Sequence, residues 1–206
     1  MSTAHGEQVR VLEEQAGLQG TKSLNWWGMA FFLCSEALIF ANLIAVYLYL
    51  EIRNGGAGWK LDNWYFPLFN TVILVSSSAV MHYAGNGIRK GDIKQLSRGL
   101  LGTLVMGAYF IGAQIFEYYT LATGPEHLSM TKSIFGSAFF TLTGFHGLHV
   151  TIGLVFLLIT FIRARLGHFT KQSHFGVEAA ELYWHFVDGV WVLVFSIVYL
   201  LPLISH

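Results

Sequence analysis

Five long apolar stretches dominate this sequence and restrict the folds open to it. They run near residues 24–50, 66–88, 100–121, 134–162 and 177–203. Each is longer than the about 20 helical residues that cross about 30 Å of hydrocarbon. None alternates between polar and apolar residues, as the strands of a membrane barrel do. The sequence therefore predicts an all-α membrane protein, with five transmembrane helices in a single domain over residues 24–206.

Composition agrees with a chain that lies mostly in a membrane. Hydrophobic residues make up 54% of the sequence and charged residues 12%, about half the charged share of a soluble domain. The formal net charge is zero, so no basic patch for nucleic acid is indicated. Cys34 is the single cysteine, which excludes an internal disulfide and metal motifs built on paired cysteines.

Lysine and arginine predict the orientation of the spans. Residues 1–23 are polar, no cleavable signal peptide is recognised, and we expect them to form a short cytoplasmic tail. The tail and the second and fourth linkers hold nine of the twelve basic residues: Arg10, Lys22, Arg89, Lys90, Lys94, Arg98, Arg163, Arg165 and Lys171. Because cytoplasmic loops carry the excess of Lys and Arg, the N-terminus is predicted inside and the C-terminus outside.

Several ionisable residues fall inside the predicted spans, where each costs on the order of 2.5–3.5 kcal/mol. Glu36 lies about 15 Å along the first span, at about 1.5 Å per residue. Since burial disfavours the charged form of a carboxyl, we expect Glu36 to be neutral and to donate a hydrogen bond to a neighbour such as His149. His146 and His149 are three residues apart and share one face of the fourth span.

The fifth span carries one polar stripe. Glu178, Glu181, His185 and Asp188 follow a 3-4-3 spacing, which places them along one helix face. Lipid cannot satisfy such groups, so the stripe must face the bundle, a partner subunit or water. For any single histidine, a structural hydrogen bond is the simpler role, whereas the stripe as a whole indicates function or an interface.

No metal site is assigned from spacing. A di-iron site would need Glu-x-x-His pairs on two helices, whereas Glu181 and His185 are four apart and have no second copy. His82 and His185 lie at similar depth, which leaves a haem b membrane cytochrome as an alternative. From the residues alone, the chain could be a subunit of a complex, a transporter or a cytochrome.

The chain resembles subunit III of the haem–copper respiratory oxidases over roughly residues 27–200. GFHGLHV and YWHFVDGVW, in this order and spacing, are specific to that family. The full set of matching segments is FLCSEALIF, PLFNTVILVSSS, GAYFIGAQIFEYY, GSAFFTLTGFHGLHVTIG and HFTKQSHFGVEAAELYWHFVDGVWVLVFSIVYL.

The resemblance implies an accessory subunit of the five-helix form, where longer members have seven helices. Such a subunit lies beside subunit I in the bacterial inner (plasma) membrane, with subunit II in the same complex. The haems and copper belong to those partners, and no cofactor or catalytic residue is expected in this chain. The subunit would stabilise the core, support proton uptake and bind phospholipids in a cleft between its first two helices and the other three.

The resemblance also implies site residues. The family's buried glutamate falls at Glu36, with His149, Glu178 and Glu181 as expected neighbours. Arg163, with His168 nearby, would hold a lipid phosphate, because a guanidinium binds phosphate bidentately. Glu36 and the HFGVEAA segment are closer to cytochrome c oxidases than to quinol oxidases, which favours cytochrome c as the electron donor and leaves quinol as the alternative.

Overall fold

A computed structural model describes residues 24–53, 64–124, 128–131 and 133–204. The predicted tail (1–23) and the linker residues 54–56 lie outside these ranges. The described residues fall into two compact units, one that ends at Glu36 and one that begins at Ala37. The boundary between the units falls within the first helix.

The described residues form five long helices and no strand, which confirms the all-α prediction. The helices are α1 (Leu24–Arg53), α2 (Tyr65–Lys90), α3 (Ile93–Thr123), α4 (Ile134–Arg165) and α5 (Phe175–Phe195). After α5 the helix continues through a π-helical segment (Ser196–Leu200) into α6 (Leu201–Ile204).

Four of these helices are long and apolar enough to cross a membrane: α1, α3, α4, and α5 with its continuation to Leu203. The helix α2 is also long, at 26 residues, but it is less apolar. Polar residues lower its hydropathy, among them Asn70, Thr71 and Ser77. These three side chains are buried. Two of these groups hydrogen-bond to α5: Trp191 Nε1 donates to Thr71 Oγ1, and Trp184 Nε1 donates to Ser77 Oγ, both at 2.9 Å.

The turn between α2 and α3 explains why α3 begins before its predicted apolar stretch. Gly91 ends α2 at φ 86°, a left-handed conformation that glycine adopts without strain. Asp92 then caps α3, because its carboxylate accepts the backbone N–H groups of Lys94 and Gln95. The first turn of α3 is therefore polar, and hydropathy alone did not include it in the predicted stretch.

Small residues allow helices to pack closely at particular positions. A Cβ atom on Gly147 would lie 2.8 Å from Gln114 Oε1, so α3 and α4 approach closely there. The helices α2 and α3 approach closely at Gly99, where a Cβ would lie 2.6 Å from Ala84 Cβ. Gly112 of α3, in contrast, is exposed, and a Cβ there would have no described atom within 4 Å.

Trp184 of α5 lies at the centre of the packed helices. It is fully buried, and its indole Nε1 donates to Ser77 Oγ of α2 at 2.9 Å. Two glycines make room for the ring: Cβ atoms on Gly107 and Gly153 would lie 2.5 Å and 3.2 Å from it. A large side chain from α5 thus fixes the positions of α2, α3 and α4.

Candidate functional site

The polar stripe of α5 meets α2 at Glu181. Its side chain is only 8% exposed, and its Oε2 accepts a hydrogen bond from the Arg89 guanidinium at 2.9 Å. Its Oε1 lies 3.0 Å from His82 Nδ1. The stripe therefore faces the bundle at this position, and a cation and an imidazole of α2 satisfy the carboxylate.

The contacts continue along the stripe toward the middle of the helix. His185 Nε2 lies 3.8 Å from Glu181 Oε1, and His185 Nδ1 lies 2.9 Å from Ser78 Oγ. Ser78 in turn donates a hydrogen bond to Asp188 Oδ2. These residues form what we call the α2–α5 polar cluster: Ser78, His82, Arg89, Glu181, His185 and Asp188.

The predicted carboxylate site is divided by the structure. Glu178 pairs with His174 at 3.3 Å and is 43% exposed, whereas Glu181 faces α2. His149 donates from Nδ1 to the carbonyl of Phe145 at 2.8 Å, and its ring packs on Phe40. Glu36 is the last residue of the first compact unit, so its predicted hydrogen bond to His149 stays a prediction.

Arg163 and His168 meet through the backbone. The His168 N–H donates to the Arg163 carbonyl at 3.0 Å in the turn that ends α4, and Gly167 lies in this turn at φ 77°. The Arg163 guanidinium lies over the Phe169 ring, 5.3 Å from its centroid. It is therefore held at the helix end by a cation–π contact.

A basic cavity lies where the first turn of α3 meets the last turn of α4. Its volume is about 320 Å³, and its lining residues are Ile93, Lys94, Ser97, Arg98 and Arg165. Three of these five carry a positive charge and none is acidic. This cavity could not be predicted from the sequence, because the proximity of its cations depends on the packing of α3 against α4.

Two further buried groups lie outside the polar cluster. Tyr199 donates to Glu117 Oε1 at 2.8 Å, a pairing that was not predicted from the sequence. His146 is fully buried and stacks on Trp191 at 4.7 Å. Neither of its ring nitrogens has a hydrogen-bond partner within the part of the chain that the structure describes. These residues contribute to the bundle interior.

Comparison with known proteins decides the family. The family model for cytochrome c oxidase subunit III matches residues 12–202. This chain belongs to the cytochrome c oxidase subunit III family. Cytochrome c oxidase subunit 3 of Synechocystis is 42% identical over 194 residues, covering 91% of this chain and 80% of the relative. The subunit of Thermostichus vulcanus is 41% identical (84% and 86% covered), and that of Drosophila melanogaster 36% (84% and 68%).

Membership of the subunit III family confirms the resemblance read from the motifs. The chain is accordingly a multi-pass membrane protein and a subunit of a haem–copper oxidase, which is a complex with other oxidase subunits. The α2–α5 polar cluster and the basic cavity each bring together charged and polar side chains from two helices.

Proposed function

We propose that this chain is the accessory, non-catalytic subunit III of a terminal cytochrome c oxidase. It contacts the catalytic subunit I and shares the complex with subunit II. The observation that carries this proposal is the family match over residues 12–202. Exposed apolar side chains on the helices also support this proposal, because lipid or another subunit must cover them. They include Phe31, Leu38, Val105, Ile115, Leu148 and Val155.

The haems and copper belong to the partner subunits in this proposal. His82 and His185 are the histidines that sequence depth paired as haem ligands, and both approach Glu181 Oε1, at 3.0 Å and 3.8 Å. The carboxylate, with Arg89 on its other oxygen, fills space that a porphyrin between the two rings would need. This arrangement supports the proposal that the chain itself binds no haem.

The distribution of charge supports the orientation that we propose for this chain. We propose the bacterial inner (plasma) membrane, with α2 as a fifth crossing, the N-terminus inside and the C-terminus outside. Nine of the twelve basic residues lie on the predicted inner side, which supports this orientation. The polar residues of α2 are compatible with a membrane span because the buried ones face neighbouring helices.

The accessory role can be tested by removing the subunit. The oxidase without this chain should keep its haem spectrum and still reduce oxygen, because no reacting group is lost. Its thermal stability should fall because subunit I loses a packing partner. Its rate of oxygen reduction should decline during sustained turnover because proton uptake becomes less efficient. Immediate and complete loss of turnover in a spectrally intact core would contradict a non-catalytic role.

Glu36 is proposed as a neutral carboxyl within the membrane. A neutral carboxyl in apolar surroundings should react with a lipid-soluble carbodiimide, whereas an exposed carboxylate should not. Peptide mapping of the labelled complex should therefore find the adduct on Glu36 in the wild type and in Glu178→Gln, which changes an exposed glutamate. Glu36→Gln should abolish labelling of that peptide and preserve assembly, and an adduct mapped to Glu178 instead of Glu36 would refute the proposal.

Phospholipid binding is proposed at the C-terminal end of α4, where Arg163 lies in the last turn and His168 in the turn that follows. A phosphate that accepts from the guanidinium edge gains charge-assisted hydrogen bonds of about 1.5–3 kcal/mol. Arg163→Ala should therefore weaken phospholipid retention at least about tenfold, measured by native mass spectrometry of the complex. Arg53→Ala is the matched control, because Arg53 ends α1 and donates to Tyr49 Oη. Equal retention in both variants would show that Arg163 only marks the membrane boundary.

A further inference from the structure

Three side chains of the α2–α5 polar cluster converge as metal ligands would. One nitrogen of His82, one nitrogen of His185 and one carboxylate oxygen of Glu181 all lie within 4.8 Å of one another. The individual separations are 3.0 Å from His82 Nδ1 to Glu181 Oε1 and 3.8 Å from His185 Nε2 to the same oxygen. In a tetrahedral zinc site with bonds of about 2.0–2.1 Å, ligand atoms lie roughly 3.3 Å apart.

The hydrogen bonds of His185 show which nitrogen is available. Ser78 uses its hydroxyl hydrogen to donate to Asp188 Oδ2. It must therefore accept from His185 Nδ1–H, 2.9 Å away. In the neutral imidazole the lone pair is then on Nε2, which faces Glu181 Oε1 at 3.8 Å. The His185 Nε2 lone pair therefore faces the Glu181 oxygen that also accepts from His82 Nδ1. A cation among these three atoms would bind all of them, once His82 has released its Nδ1 proton.

We propose that His82, Glu181 and His185 bind a divalent zinc ion at the α2–α5 contact. Two imidazoles and one carboxylate are ligands that zinc favours. A fourth ligand could approach from outside the bundle, because the side chains of His82 and His185 are 59% and 38% exposed in the isolated chain. Zinc is not redox-active, so such a site is separate from the electron-carrying centres of an oxidase.

The surrounding residues prepare the ligands. Arg89 holds Glu181 Oε2 at 2.9 Å, which directs Oε1 toward the two histidines. Gly85 leaves the space for this carboxylate, since a Cβ there would clash with Glu181 Oε2. Asp188, through Ser78, fixes the His185 tautomer in the way that carboxylates behind histidine ligands orient zinc sites. Ser78 is therefore a positioning residue for the site.

Zinc binding to the full chain purified in mild detergent tests this proposal. Elemental analysis after dialysis against zinc should find about one zinc ion per chain, and zinc should raise Tm because it binds only the folded chain. His82→Gln, Glu181→Gln and His185→Gln should each weaken the affinity by at least the about 10–100-fold that loss of an outer-shell partner costs. Ser78→Ala should weaken it by roughly tenfold.

The His174–Glu178 pair is the matched control. It has the same residue types, 3.3 Å apart at the start of α5, and it lies outside the proposed site. His174→Gln and Glu178→Gln should therefore leave zinc binding unchanged. His82→Gln is the decisive variant, because His82 is exposed and its replacement should not disturb folding. Wild-type zinc affinity in a folded His82→Gln chain would overturn the proposal, as would wild-type protein that retains no zinc.

Discussion

Replacing Trp184 with alanine should lower the free energy of unfolding of this chain by about 3–5 kcal/mol, the range for truncating a large aromatic residue in a packed core. The indole is fully buried and fits against Gly107 and Gly153. Its loss would leave a cavity among α2, α3, α4 and α5 and would leave Ser77 without the 2.9 Å hydrogen bond from the indole.

Detergent denaturation of the purified chain, followed by circular dichroism, measures this effect. Leu193→Ala is the control on the same helix, because Leu193 is 52% exposed, and it should cost less than about 1 kcal/mol. The stability of Trp184→Phe should fall between those of the two alanine variants. Phenylalanine keeps a six-membered aromatic ring and lacks the five-membered ring that carries the N–H donor. Equal stability of Trp184→Ala and Leu193→Ala would show that Trp184 does not hold the helices together.

Replacing Gly99 with leucine should force α2 and α3 apart. A Cβ at this position already lies 2.6 Å from Ala84 Cβ and 2.9 Å from Ala84 Cα, so relief requires movement of the helix backbone. Overpacking of this kind costs about 1–3 kcal/mol, occasionally more. The loss should appear as a lower free energy of unfolding and as weaker assembly into the complex.

Gly112→Leu on the same helix is the matched control for Gly99→Leu. A Cβ on Gly112 would have no atom within 4 Å among those described. Leucine is a better helix former than glycine by roughly 0.8 kcal/mol, so this variant should be as stable as the wild type or slightly more so. The two substitutions are expected to change stability in opposite directions in the isolated chain. If Gly99→Leu is as stable as Gly112→Leu, α2 and α3 are not in the close contact described here.

The long helices could be predicted from the sequence because hydrophobic length is a local property. The start of α3 could not be predicted in this way, since it depends on the cap that Asp92 provides ahead of the apolar stretch. The distinction between Gly99 and Gly112 was also not predictable, because both are small residues in one helix and only packing shows which of them faces α2.

The candidate site could be predicted only in part, because it too depends on how the helices pack. Spacing placed Glu178 and Glu181 on one stripe, yet the structure pairs Glu178 with His174 and Glu181 with Arg89 and His82. The last two partners lie more than 90 positions away along the chain, so they depend on tertiary packing. The family resemblance, in contrast, rested on motifs along the sequence, and the comparisons confirm it.

Purification of this chain in mild detergent, with partners identified by mass spectrometry and a visible spectrum of the product, tests the central claim most directly. Subunits I and II should be recovered in equal amounts with the chain. The haem absorbance should stay with those partners when the chain is separated from them. Recovery of the chain alone, with stoichiometric haem b bound to its own histidines, would contradict an accessory subunit III and would favour a membrane cytochrome.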